Sequence, residues 1–228
     1  MWQALRSELH PHGLEVVTVA LDTAGAERAG RYIDRASPEH PSLIDTAHLL
    51  DELYGFVNVP SAVWIDEELR VVRPPETAYH PDSPVLRRRP PGDAPPLLAE
   101  VLRESARIHT YHEGYVDALR DWVRLGAASR YALPAEQVVG RFDRRSRQAA
   151  EAAAEFELGQ HLHRFGHERD AVARFRAAHR LHPDNWTYKR QAWSLVDPLQ
   201  GPTEEYDGDW LTDVRRIGPE NYYRRPAL

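Results

Sequence analysis

The chain has 228 residues, of which 42% are hydrophobic and 28% charged, enough to bury a real core and intermediate between one large domain and two small ones. A formal net charge of -6, with arginines scattered among acids, excludes the basic stripe that nucleic acid demands, and no apolar run approaches the roughly 20 residues needed to cross a bilayer. The absence of cysteine excludes disulfides, thiolate metal sites and thiol nucleophiles within these residues.

Met1 is followed by an amphipathic Trp2-Gln3-Ala4-Leu5-Arg6 and not by a signal peptide, so a cytoplasmic protein is expected. The run Leu14 to Leu21 is short, apolar and β-branched, between Gly13 and Asp22, and predicts a buried parallel strand. From about Ala24 to Ala36 the small residues Ala26, Ala29, Ile33 and Ala36 define one helical face, ended by Ser37-Pro38. His40 to Asp45 reads as a brief extended piece, and Thr46 to Tyr54 as a helix with Leu49, Leu50 and Leu53 inward and Gly55 as its left-handed stop.

Ser61 to Asp66 and Leu69 to Arg73 suit an antiparallel hairpin, although Glu67-Glu68 is poor turn chemistry and calls for a longer loop. Eight prolines between Pro74 and Pro96 predict an extended, mobile insertion. The short cluster Arg87-Arg88-Arg89 within it reads as solvated charge. Leu97 to Ile108, Tyr115 to Leu125 and the stretch from Pro134 to about Leu195 carry apolar residues at helical spacing. Two units follow from this division, residues 1–108 and 109–228, the second all α.

The order strand, helix, short strand and helix, followed by Tyr54-Gly55-Phe56-Val57-Asn58-Val59-Pro60-Ser61-Ala62-Val63-Trp64-Ile65-Asp66, resembles thioredoxin-like oxidoreductases of the TlpA and ResA type and their peroxiredoxin relatives, over roughly residues 1 to 75. The resemblance implies an α/β thioredoxin-like domain, truncated at its N-terminus. It also implies a cis proline at Pro60, whose X-Pro bond adopts cis at a cost of only about 1 kcal/mol. By the same resemblance Val59, Pro60 and Ser61 form a substrate-binding loop, in which the backbone amide and carbonyl before the proline pair with an extended substrate. An ordinary trans proline opening an edge strand is the alternative reading.

The family's Cys-x-x-Cys motif falls just upstream of Trp2 to His10, where Leu5 and Leu9 look like the tail of the redox helix. The strand before that motif belongs mid-sheet, between the strands matching Leu14 to Leu21 and Ser61 to Asp66. Its loss leaves two strand edges unpaired. We therefore expect Met1 to be an internal residue of a longer protein, or the gap to be filled in another way, such as a homodimer.

Between Ala152 and Asn185, the residues Leu158, Gly159, Leu162, Gly166, Ala171, Phe175, Ala178 and Pro183 fall at tetratricopeptide-like positions across one period of about 34 residues. In this pattern Gly159, Ala171 and Ala178 let two helices approach, Leu158, Leu162 and Phe175 fill the gap, and helices from Ala135 and from Trp186 cap the repeat. Such a hairpin is either part of a helical bundle or a shallow docking groove for an extended peptide. Asp209 to Tyr223 is aromatic without a helical period and predicts a tail that packs back on a surface.

Twelve histidines include the close pairs His10 and His12, His109 and His112, His161 and His163, and His179 and His182. None has the carboxylate spacing of a zinc helix, so no metal is assigned. No nucleophile elbow or phosphate-binding glycine loop is present, and no cofactor is expected. The leading expectation is a thioredoxin-like protein of thiol or peroxide redox lineage without a redox centre in these residues. The rivals are a non-catalytic module binding a protein or peptide, and a redox enzyme whose nucleophile lies upstream or is of a type such as selenocysteine.

Overall fold

In the computed structural model, residues 1–142 and 144–228 are described, and the side chains of Val85 and Arg87 lie outside the described set. Of the arginine cluster, Arg88 and Arg89 are exposed, and Arg87 falls outside that set. The first helix, α1 (Trp2–Leu9), leads into β1 (Thr18–Leu21), α2 (Ala26–Ala36), β2 (Ser42–Asp45) and α3 (Leu49–Tyr54). A hairpin follows, β3 (Ser61–Ile65) and β4 (Val71–Thr77), and then α4 (Pro96–Ser105), α5 (Tyr115–Leu125) and α6 (Ala135–Arg141). The chain ends with α7 (Arg147–Arg164), α8 (Glu168–Leu181), α9 (Trp186–Val196) and α10 (Trp210–Ile217).

β1 runs parallel to β2 with Thr18 opposite Ser42, and β3 runs antiparallel to β4 with Ser61 opposite Thr77. They form two separate two-stranded sheets. The strand that the thioredoxin resemblance would set between β1 and β3 has no counterpart among the described residues. β1 is shorter than the run Leu14 to Leu21, and none of its residues is buried; Val17 just before it is 54% exposed. The expectation of a buried strand is corrected on physical grounds, since a strand laddered on one side only, in a two-stranded sheet, has little surface over which to bury its side chains.

The stretch from Pro74 is likewise more ordered than its prolines suggest. β4 passes through Pro74 and Pro75, and Ala78 and Tyr79 beyond it are 3% and 8% exposed. The ladder register shifts at Pro74-Pro75, where Ala62 pairs with Glu76 and Trp64 with Arg73, so the residues that cannot donate sit in a bulge. The hairpin turn is long, with Asp66 Oδ1 accepting the amides of Glu68 and Arg70.

Two apolar cores organise the chain. Leu5 and Leu9 of α1 pack with Trp64, Ala78 and the α5 residues Tyr115, Val116, Ala118 and Leu119. The Trp64 indole N–H donates to the Tyr115 hydroxyl at 2.9 Å and its ring stacks on Trp122. The larger core joins Phe156, Phe175, Trp186, Tyr188, Trp193, Trp210, Tyr222 and Tyr223, together with Tyr79 from the first unit. The cores do not divide at residue 108, because Tyr115 to Leu119 belong to the first and Leu97, Val101 and Ile108 pack against the second.

The repeat-like hairpin forms as α7 and α8, but its filling differs from expectation. Leu158 is 41% exposed, and Phe156 at 2% takes the inward position, lying 5.5 Å from the Phe175 ring and stacked on Tyr188 at 4.2 Å. α9 packs on α8 as a cap, whereas α6 lies against β4, anchored by Leu133 N–H donating to Val72 O at 2.8 Å. Gly159 sits where a Cβ would meet the Phe175 ring at 2.7 Å.

α3 turns two of its three leucines outward, with Leu49 56% and Leu53 66% exposed and Leu50 half-buried, because its inward positions are polar. His48 and Asp51, each 3% exposed, are held by a network reaching into α7 and α9. Thr23 N–H donates to Gln191 Oε1 at 3.0 Å, and His48 Nε2 lies 3.0 Å from that same oxygen. A backbone N–H can only donate, so the Gln191 atom is an acceptor and His48 carries a proton on Nε2. His48 Nδ1 then faces Asp51 Oδ2 at 3.2 Å, and Gln160 Nε2 donates to Thr23 Oγ1 at 2.8 Å.

Two stability outcomes follow in urea unfolding. Gly159→Ala gains about 1 kcal/mol of helix propensity but drives a methyl into a fixed ring, and we expect a net loss of about 1–2 kcal/mol; unchanged or increased stability would contradict this packing. Gln191→Leu strips the acceptor from two buried donors and is expected to lose about 2–4 kcal/mol; a loss below that of an ordinary surface substitution would contradict the network.

Candidate functional site

The loop before β3 is built by its own polar side chains. Asn58, 8% exposed, accepts the Val59 amide on Oδ1 at 2.9 Å, and the Ser61 hydroxyl donates to Asn58 O at 2.7 Å. The Val59–Pro60 peptide is cis. Pro60 O accepts the amide of Ala78 at 3.2 Å, which extends the β3–β4 pairing past Ser61 and Thr77. Val59 itself is 36% exposed, while Pro60 and Ser61 are half-buried.

The Asn58 side chain and the Val59 carbonyl meet the C-terminal segment. Asn58 Nδ2 donates to Tyr222 O at 2.9 Å, and the Tyr223 hydroxyl donates to Val59 O at 2.9 Å. The hydroxyls of Tyr79 and Tyr223 lie 3.0 Å apart. A phenol has one proton, and that of Tyr223 goes to Val59 O, so Tyr79 must be the donor to Tyr223. The result is a directed relay from Tyr79 through Tyr223 to the carbonyl preceding the proline. Burial pushes the Tyr79 and Tyr223 hydroxyls above the usual phenol range, so both keep their protons.

The tail continues along β4. The Thr77 hydroxyl donates to Arg224 O at 3.1 Å, Arg73 Nη2 donates to Ala227 O at 2.6 Å, and Ala227 N–H donates to Glu76 Oε2 at 3.3 Å. Arg73 is 1% exposed, paired with Glu76 and set over the Trp64 ring at 5.3 Å. Arg73 therefore needs its acceptors, and a buried guanidinium without them would be strongly destabilising.

The three residues expected at the loop, Val59, Pro60 and Ser61, are adjacent here, but both main-chain groups of Val59 are already bonded within the chain. The substrate-binding role that the resemblance implies for them is therefore not open in this conformation. Asn58 was within the quoted motif without a role, and Arg73, Glu76, Thr77, Tyr79 and Tyr223 carried no expectation at this loop. The signal for Tyr222-Tyr223 was their aromatic character, which predicted a tail that packs back without saying onto what. That tail is also more regular than its sequence suggests, since Trp210 to Ile217 is a helix capped by Asp209 Oδ1 accepting Thr212 N–H at 3.0 Å. Eight residues are too few for a period to show.

Elsewhere the chemistry is structural. Among the described residues no three His, Cys, Asp or Glu side chains converge as metal ligands. His179 faces Trp193 and Tyr206, and burial pushes its pKa down to about 4, so it packs as a neutral ring. A cleft of about 120 Å³ at the hairpin turn is lined by His12, Leu14, Asp66 and Trp122, where Asp66 is occupied by the turn amides. No helix is long and apolar enough to cross a membrane among the described residues. No family model matches the chain, and no curated protein and no solved structure matches it.

Tyr223→Phe keeps the ring but removes the relay's middle hydroxyl, leaving Val59 O and the Tyr79 hydroxyl without their partner. We expect a loss of about 1–3 kcal/mol in urea unfolding, and a variant as stable as the parent would contradict the relay.

Proposed function

We propose that this chain is a thioredoxin-like protein-interaction module without thiol-disulfide turnover of its own. The single observation that carries the reading is the engagement of Val59, whose amide is held by Asn58 and whose carbonyl is held by Tyr223. A loop that serves redox exchange leaves these groups to an incoming extended substrate, whereas here they bind the chain itself. The absence of cysteine is in keeping with this reading, because thiol exchange needs a thiolate nucleophile. The parallel β1–β2 pair followed by the antiparallel β3–β4 pair is in keeping with the order the thioredoxin-like resemblance implies, and the α7–α8 hairpin supports the tetratricopeptide-like part. The partner is a protein or peptide in a cytoplasmic setting.

The test is insulin-disulfide reduction and peroxide consumption by the chain in the presence of dithiothreitol. Rates equal to buffer are expected, and a rate above buffer that scales with protein concentration would overturn the reading.

A further inference from the structure

The contacts at the tail have the character of a bound ligand. Three side chains of β4 and its end, Arg73, Glu76 and Thr77, reach main-chain atoms of Arg224 and Ala227. These contacts are to main-chain atoms, as in the capture of a peptide backbone. Side-chain selection comes one residue earlier, at Tyr223. Its ring stands edge-on to Tyr79 at 5.5 Å and to Tyr222 at 4.7 Å, and its hydroxyl is fixed between Tyr79 and Val59 O. A phenylalanine would fill the slot and leave the carbonyl unpaired. Beyond it Arg224, Arg225, Ala227 and Leu228 are exposed, and none of residues 224–228 belongs to either apolar core.

We infer that this seat is a peptide-binding site and that residues 223–228 are its tethered occupant. The partner it fits is an extended segment led by a tyrosine, whose side chain enters the slot beside Tyr79 and whose following carbonyls meet Thr77 and Arg73. This rests on the interaction-module reading and deepens it by naming the partner's chemistry. A tethered segment competes at an effective concentration of about millimolar, so the intact chain binds such a peptide weakly, and release of the tail opens the seat.

The experiment titrates a fluorescent peptide of residues Tyr223 to Leu228 into the full chain and into a chain ended after Tyr222, both checked by tryptophan fluorescence for the native core. The shortened chain is expected to bind at least about tenfold tighter than the full chain. The same peptide with phenylalanine in place of tyrosine is expected to lose about tenfold. Equal affinity for the two chains, no binding to the shortened one, or indifference to the hydroxyl would each overturn the inference. If the shortened chain does not fold, full-length Tyr223→Ala decides: peptide binding tighter than to the parent supports the seat, and binding no tighter overturns it. Any of these failures leaves the thiol-turnover result standing, so the two readings are separable.

Discussion

The carbonyl of Val59 sets the terms for much of the molecule. It lies just before β3 in a half-buried loop, where a main-chain acceptor needs a donor. The chain supplies one from its far end, the Tyr223 hydroxyl, which is itself oriented by Tyr79. Once Tyr223 is fixed, Tyr222 comes to lie against Trp186 and Trp210, and the residues after it fall along β4. The loop, the hairpin and the C-terminal segment thus meet at this hydrogen bond, beside the aromatic core of α9 and α10.

The two thin sheets could not stand alone, since isolated two-stranded pairs are marginal in water. They are held by two ties of different chemistry. At one side Gln191 of α9 accepts from Thr23 and His48, joining the β1–α2 loop and the start of α3 to α9. At the other, the tail carries the large aromatic core to β4. The first tie is a buried polar network that leaves Gln191 Nε2, Gln160 Oε1 and Asp51 Oδ1 unpartnered; the second combines apolar burial with hydrogen bonds to main-chain atoms.

Local order was legible where a single residue decides it. Gly55 stops α3 in the left-handed region and Ser37 ends α2, whereas Asp66, read as the end of a strand, builds the turn between β3 and β4. Which face an element turns inward was less legible. Leu49 and Leu53 looked inward by period, but His48 and Asp51 are the buried pair: Gln191, far along the chain, accepts from His48, and His48 in turn faces Asp51. Leu158 yielded to Phe156 for a similar reason, since Tyr188 stacks on the Phe156 ring and His48 meets it edge-on. The prolines of β4 signalled a linker by composition, yet a bulge in an antiparallel pair accepts them. At the loop, Val59, Pro60 and Ser61 were legible as a unit, and the identity of what meets them was not, because a hydrogen bond across 164 residues leaves no local pattern.

The most direct test of the central claim, that the chain's own C-terminal segment engages the Val59 loop, is amide hydrogen exchange on the intact protein, followed through residues 56–62 and 222–228. The account predicts protection of Val59 and Ala227 amides that rises and falls together as denaturant is added below the unfolding transition. Exchange of the Ala227 amide at the rate of an unstructured peptide, with the loop still protected, would contradict it.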